Sequence, residues 1–509
     1  MGVIYNMQAK KYLIGLDIGT TGTKCLLFST DGEIIGHAYE GYALKTPQVG
    51  RSEQDANDWW HAVVKTVRAV SNDPKIAQSI VAISLSLQGG TLVPVDESGE
   101  PLCQAVVWND SRATKQAATF KEKFGSDYMY QRSGWNLNGR LNAMQIAWLR
   151  ENRPEIHART WKFLSVSDFI SLKMTGRAAV DISNVGINQL ADIRTCAYDK
   201  NILDFIGIKE DQLADIVPSG EPIGHLTPKA AEELALPESV ILVAGAHDQY
   251  AVSLGAGAVN SGNVLIGSGT AWVVTAITDR PNFDSGLAQS VSAIKGKWGS
   301  LLSIGTGGVC LEWFRKNLKM LDDDGDLLSY KAIDEMAGSK EIGANGLFFY
   351  PYFGGSSFPE RDSVSKASFI GLDLSHERSD IARAIMEGVS YQIVWGLETF
   401  RASFPITGLK LAGGASKSAL WSQMVADIAN LPVRIPLIPD LACVGAAILA
   451  GVGIGIFTTA EEGYQRLAIE EKIILPNPEN ATRYAELFKL FKKHARSLRT
   501  LYDTTPEDR

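Results

Sequence analysis

The chain is expected to be an α/β protein made of two related domains facing one ligand cleft, and three observations carry that expectation. Strand-like runs alternate with helix-like runs along the chain, the pattern of layered α/β folds. A Gly/Thr-punctuated hairpin near the start, Tyr12–Phe28, has a counterpart half a chain later at Asn263–Thr275. The 509 residues, 45% hydrophobic and 21% charged, are enough for two or more separate cores.

Taken in order, Tyr12–Phe28 (YLIGLDIGTTGTKCLLF) is an apolar strand, a small-residue turn and a second apolar strand. Asp55–Ser71 and Leu141–Asn152 carry apolar residues at helical spacing, whereas Ser79–Ser86 and Ser239–Ala244 are β-branched and apolar, as strands are. Asn263–Thr275 (NVLIGSGTAWVVT) repeats the hairpin plan, which puts the domain boundary near Gly255–Gly262 and the domains at 1–256 and 257–509. Further on come a strand at Gly408–Ala412, a helix at Ser416–Asn430 and a strand at Pro432–Pro436. The apolar run from Cys443 to Ile456, broken by Gly445, Gly451, Gly453 and Gly455, reads as a buried helix with its exit loop. Tyr484–Tyr502 is a closing basic helix.

Several function classes lose support at once. Net charge is −8 with both signs interspersed and no basic face, so nucleic acid is not an expected partner. The opening MGVIYNMQAKKYLIGLDIG holds no apolar stretch long enough for a signal peptide or a membrane span, so a cytoplasmic protein without a membrane partner is expected. Cys25, Cys103, Cys196, Cys310 and Cys443 are scattered, without metal-ligand spacing, and read as reduced buried thiols. No HExxH, GxxxxGK[ST] or GxGxxG occurs, which leaves zinc peptidase, P-loop and dinucleotide readings without a motif.

Four stations carry chemistry. In Asp17-Ile-Gly-Thr-Thr-Gly-Thr-Lys24 the glycines let backbone approach a phosphate, Thr20, Thr21 and Thr23 offer donors, and Lys24 adds a point charge. Asp17, ending an apolar strand, is placed to hold Mg²⁺ directly or through water; the bland alternative is a plain hairpin. Gly267-Ser-Gly-Thr270 is the same kind of turn, with a surface hairpin as its alternative. In Ala244-Gly-Ala-His-Asp-Gln249, Asp248 follows a strand end, where open α/β sheets place ligands, and it could accept a hydroxyl proton. A helix cap serves equally well there, and His247 reads more readily as a structural histidine. Leu411-Ala-Gly-Gly-Ala-Ser-Lys-Ser418 suits a bare-backbone seat for adenine and ribose, but alone it favours a tight strand-to-helix turn.

Together these stations resemble the FGGY family of carbohydrate kinases, within the actin/Hsp70/sugar-kinase superfamily, over nearly the whole chain. LDIGTTGTK resembles the family's first phosphate loop, and Gly50-Arg-Ser-Glu-Gln-Asp55 with Trp59-Trp60 resembles its GWxEQDPxxWW segment. Trp108-Asn-Asp-Ser-Arg112 is similar to its substrate segment, and Asp248 falls on its catalytic aspartate. Ala367–Leu372 followed by Asp380–Glu387 fits the C-terminal signature at every constrained position. Departures lie at Asn142 and Gln145, at Ser86-Leu-Gln-Gly89 where xylulokinases usually read Gln-Met-His-Gly, and at Pro351–Ser357 in place of Gly-Glu-Arg.

The resemblance implies two RNase H-like domains with ATP and Mg²⁺ between them. It implies that Asp17 assists Mg²⁺ and that Thr20, Thr21 and Lys24 face the phosphates, with Gly269 and Thr270 opposite. Gly308, Gly414 and Ser418 would line the nucleotide pocket, with Glu312 as a weaker candidate. Gln88, Trp108, Asp248 and Gln249 would line the sugar pocket, Asp248 as the base. The implied reaction is phosphorylation of a small sugar, a ketopentose such as D-xylulose. Another sugar, polyol or sugar acid (gluconate, ribulose, fuculose, glycerol) stands as the rival, and a chaperone-like ATP-binding protein is the alternative of another class. Beyond the sugar and ATP, a homodimer is the one partner left open.

Overall fold

The computed structural model describes residues 10–503 apart from 357, 359–361, 363 and 468, so the expectation at Ser357 lies outside the described residues. The first half contributes β1 (Tyr12–Ile18), β2 (Gly22–Ser29), β3 (Ile34–Gly41), α1 (Ala56–Val70), β4 (Ile80–Leu87), β5 (Pro222–His225), β6 (Ile241–His247) and α2 (Asp248–Gly255). The second half contributes β7 (Asn263–Ser268), β8 (Trp272–Thr278), β9 (Trp298–Ile304), α3 (Val309–Asn317), β10 (Gly408–Gly413) and α4 (Ala419–Ala429). It ends with β11 (Val433–Pro436), α5 (Leu441–Gly453), β12 (Glu471–Ile474) and α6 (Pro478–Asp503).

Two sheets repeat one plan. In the first, of order β5-β6-β4-β1-β2-β3, β1 pairs antiparallel with β2 and parallel with β4. There β4 pairs parallel with β6, and β6 antiparallel with β5. In the second, β7 pairs antiparallel with β8 and parallel with β10. Here β10 pairs parallel with β11, and β11 antiparallel with β12. The repeated hairpin is thus the visible part of a repeated five-strand succession.

The chain divides into two compact units that are not two continuous blocks. The first holds residues up to Ser261 together with Ile277–Ser300 and Ile438–Ile469; the second holds Gly262–Ala276, Leu301–Leu437 and Glu470 onward. A single division between 1–256 and 257–509 therefore does not describe these units. The reason is α5, an almost wholly apolar helix that needs cover on all sides. It packs on β1, β4 and α2 of the first unit. Glycines allow backbone contact there: a Cβ on Gly15 would meet the Cys443 carbonyl oxygen at 1.9 Å, and one on Gly255 would meet that of Leu441 at 1.9 Å.

Successive side chains of a strand point to opposite faces, and β1 uses both. Ile14, Leu16 and Ile18 join Trp59, Val63 and Val67 of α1 in one core. Leu13 joins Val243, Ala450 and Phe457 in another. Leu26 and Phe28 of β2 join Cys443 and Ala447. The parallel strands β1, β4 and β6 at the centre of the first sheet carry core on both faces, which leaves their ends as the accessible edge.

Candidate active site

In the first unit the predicted residues gather at the carboxyl ends of three adjacent parallel strands. Register sets Asp17 beside Ser86, and Ser86 beside Ala246, so Gln88 and Asp248 emerge just beyond the same edge. Asp17 is half-buried; Ser86 Oγ donates to its Oδ1 at 2.8 Å. Lys24 faces it across the hairpin, with Nζ 3.9 Å from Asp17 Oδ2 and 3.0 Å from Asp440 Oδ1. Burial pushes the Asp17 carboxyl up to about 6; Lys24 and Ser86 pull it back, while the negative charges of Asp248 and Asp440 raise it further. Burial works against the Lys24 charge, but the hydrogen bond to Asp440 and the two carboxylates hold its pKa above the ordinary value.

The turn between β1 and β2 is held by side chains from distant segments. Gly19 N–H donates to the Gly22 carbonyl at 3.1 Å, which closes the turn. Gln54 Nε2 donates to the Thr20 carbonyl at 2.7 Å, Tyr42 OH to that of Gly19 at 2.6 Å, and Tyr39 OH to that of Thr21 at 3.2 Å. Gln88 is only 4% exposed. It donates to the Gly19 carbonyl at 3.3 Å and accepts from Thr20 Oγ1 at 3.1 Å. Its amide therefore braces the turn. Trp108, 43% exposed, donates from Nε1 to Thr20 Oγ1 at 2.9 Å. The rest of its segment is fastening: buried Asp110 accepts from Ser52 N–H at 2.7 Å, and Arg112 spans Asp110 and Glu53 at 2.8 and 2.7 Å.

Asp248 opens α2, and His247 is the residue that caps it, accepting from Gln249 N–H on Nδ1 at 3.3 Å. The capping alternative thus belongs to His247 and leaves Asp248 half-exposed at the strand edge. Asp248 Oδ1 accepts from Gln249 N–H at 2.6 Å and lies 3.1 Å from His247 Nδ1. Behind it, His247 N–H donates to Ser183 Oγ at 2.8 Å, and Ser183 Oγ donates to buried Asp181 at 2.6 Å. Gln249 is half-buried in the first turn of α2.

The second unit gathers Gly269, Thr270, Gly308 and Gly414 around Ser268 at the end of β7. Gly308 N–H donates to the Gly269 carbonyl at 3.1 Å, Gly307 N–H to that of Thr270 at 3.1 Å, and Gly414 N–H to that of Ser268 at 2.7 Å. The approach demands glycine: a Cβ on Gly308 would stand 2.6 Å from the Gly269 oxygen, and Gly413 has φ +94°. Ser418 lies outside this cluster of bonds. It caps α4, accepting from Trp421 N–H at 2.9 Å, and is buried. Glu312 is engaged by Arg315 first, then Lys316, both on its own helix, and by Tyr330 of the helix Tyr330–Gly338, which together hold its carboxyl down to about 2.

Among the described residues no three acidic, histidine or cysteine side chains form a cation cage. Mg²⁺ usually keeps several waters and takes one or two carboxylates plus substrate phosphates, and Asp17, beside the Gly19–Gly22 turn, fits that need. The residues that sequence reasoning missed are braces and counter-ions: Gln54, Tyr42, Ser86 and Asp440. Gln54 lay within the quoted Gly50–Asp55 segment and Ser86 opened the quoted Ser86–Gly89 run; Tyr42 and Asp440 had no local signal.

Comparison with known proteins gives a consistent set. The FGGY family of carbohydrate kinases matches through its N-terminal domain at residues 12–255 and through its C-terminal domain at 264–454. The xylulose kinase of Bacillus subtilis (strain 168) is 30% identical over 96% of this chain and 98% of its own length. The gluconokinase of Bacillus licheniformis is 28% identical over 96% of this chain and 97% of its own. The crystal structure of ligand-bound xylulose kinase from Lactobacillus acidophilus superimposes with a TM-score of 0.89 at 25% identity, covering 97% of this chain and 99% of that one.

Proposed function

The chain belongs to the FGGY family of carbohydrate kinases, with that fold's two actin-like ATPase (RNase H-like) domains, and from that premise we propose that its acceptor is a ketopentose such as D-xylulose. It is a sugar kinase that uses ATP. The observation that carries the site is the half-exposed Asp248 carboxylate, on the same edge of parallel strands as Asp17 and close enough for its charge to raise the Asp17 pKa. A chaperone-like ATP switch has no use for a base so placed.

In this reading Trp108, Asp248 and Gln249 receive the sugar, and Asp248 accepts the proton of the attacking hydroxyl as the O–P bond forms. Phosphoryl transfer asks chiefly for in-line positioning and charge neutralisation. Thr20, Thr21 and Lys24 serve the phosphates in this reading, and Gly269, Thr270, Gly308 and Gly414 serve the nucleotide. Gln88 and Ser418 act one layer behind, as a brace of the turn and a helix cap. Asp17 would hold Mg²⁺, which supplies charge neutralisation on the phosphates.

Support for a cytoplasmic site of action comes from the five free cysteines, three of them buried and two half-buried. Gluconate is the second acceptor to weigh, because a gluconokinase matches this chain as well as a xylulose kinase does, at 28% against 30% identity over equal shares of the chain. A panel of ketopentoses, polyols and sugar acids scored by coupled ADP release tests the choice. D-xylulose should give the highest kcat/KM; a higher value for gluconate overturns the ketopentose reading and leaves the kinase assignment standing.

A further inference from the structure

Asp440 does not do what an aspartate before a helix ordinarily does. Such a residue turns its carboxylate onto the free N–H groups of the first helical turn. Asp440 makes no such cap on α5, and its backbone lies in the left-handed region at φ 51°, ψ 56°, which residues with a Cβ avoid. Its two oxygens are engaged elsewhere: Oδ1 lies 3.0 Å from Lys24 Nζ, and Oδ2 lies 2.8 Å from His37 Nε2. The position is rigid, because α5 is seated on β1 and α2 through backbone contacts at Gly15 and Gly255.

The same ammonium stands 3.9 Å from Asp17 Oδ2, beyond hydrogen-bond reach. Lysine is a point charge on a flexible stem, so nothing intrinsic to Lys24 keeps it off Asp17. If it closed on Asp17 it would take the oxygen that a divalent cation needs. We propose that Asp440 is a positioning residue that parks the Lys24 ammonium away from Asp17, keeping that carboxylate open to the cation carried by the nucleotide. The inference rests on the reading of Asp17 as a cation contact. His37 fixes the second oxygen of Asp440 and so sets the direction in which Lys24 is drawn.

The test is Mn²⁺ binding by the full-length protein at saturating ADP, with free Mn²⁺ read by electron paramagnetic resonance. Asp440→Asn keeps the shape, tolerates the left-handed backbone and removes the charge, so it should weaken Mn²⁺ binding about fivefold or more. Lys24 also serves the phosphates, so Lys24→Met sets its own baseline, and Asp440→Asn/Lys24→Met should lie within about twofold of that baseline, the non-additivity expected of residues that act through one another. Asp440→Gly, which lacks the carboxylate and suits the backbone, should reproduce the weakening and serves if Asp440→Asn does not fold. Equal weakening with and without Lys24 overturns the inference, as does wild-type binding in Asp440→Asn when Asp17→Asn loses it. Wild-type binding in Asp17→Asn removes the cation reading itself, and the inference falls with it.

Discussion

Asp248 and its amide counterpart differ by little more than the ability to take a proton, which makes D248N the sharpest single change in the molecule. The variant should lose kcat by about a hundredfold or more, with sugar and nucleotide affinities by calorimetry within about twofold of wild type. Retention of a tenth of kcat would remove Asp248 as the base. A second carboxyl tests burial. Asp168, at the start of the helix Val166–Thr175, is fully covered, and burial pushes it up to about 6 from 3.8 despite hydrogen bonds from Ser165. A raised folded-state pKa means that the native state holds the proton longer than the unfolded chain does. The stabilisation is therefore complete below pH 3.8 and is lost as pH rises through about 6. Measured by urea unfolding, the stability of wild type relative to D168N should fall by about 1–3 kcal/mol between pH 4 and 7. A pH-independent difference would show that Asp168 titrates normally.

At the scale of elements, the hairpins and their strand partners were legible because period, β-branching and turn residues all agree locally. The helix expected at Asp55–Ser71 occupies Ala56–Val70, and the strand expected at Ser79–Ser86 occupies Ile80–Leu87. What was not legible is how the turn after β1 is held, since its braces come from Gln54, Gln88 and Trp108, far apart in sequence and without any periodic mark. Gln88 shows the difference. The family resemblance put it against the sugar, whereas its amide bonds Gly19, Thr20 and Gln54. Gln88→Ala should therefore raise KM for ATP about threefold or more, because a buried carbonyl and hydroxyl lose a partner in the turn proposed to receive the phosphates. A loss confined to KM for the sugar would return Gln88 to the sugar pocket. Ser418 was equally ambiguous, and its hydroxyl is a helix cap.

For the whole molecule, the informative fact is that α5 belongs by contact to the first unit although it lies near the other end of the chain. No local pattern predicts that. An apolar run predicts a buried helix, but the identity of the covering surface is a long-range property. A chain ending at residue 437 should fail as a whole, with collapsed near-ultraviolet circular dichroism and rapid proteolysis, because β1, β4 and α2 lose the helix that covers one face. Survival of a protease-resistant fragment up to residue 261 in that truncation would show that the first unit completes itself without α5.

The same arrangement sets a timetable for synthesis. A ribosome adding about 5–20 residues per second needs roughly 10–40 s to pass from the end of α2 to α5, and domains emerging from it generally fold as units, amino-terminal first. Here the earliest-made sheet waits through that interval with Leu13, Leu26, Phe28 and Val243 lacking their covering helix. The nascent chain is at its stickiest just before α5 emerges, so a pause in translation ahead of residue 438 should cost more soluble protein than an equal pause after residue 469.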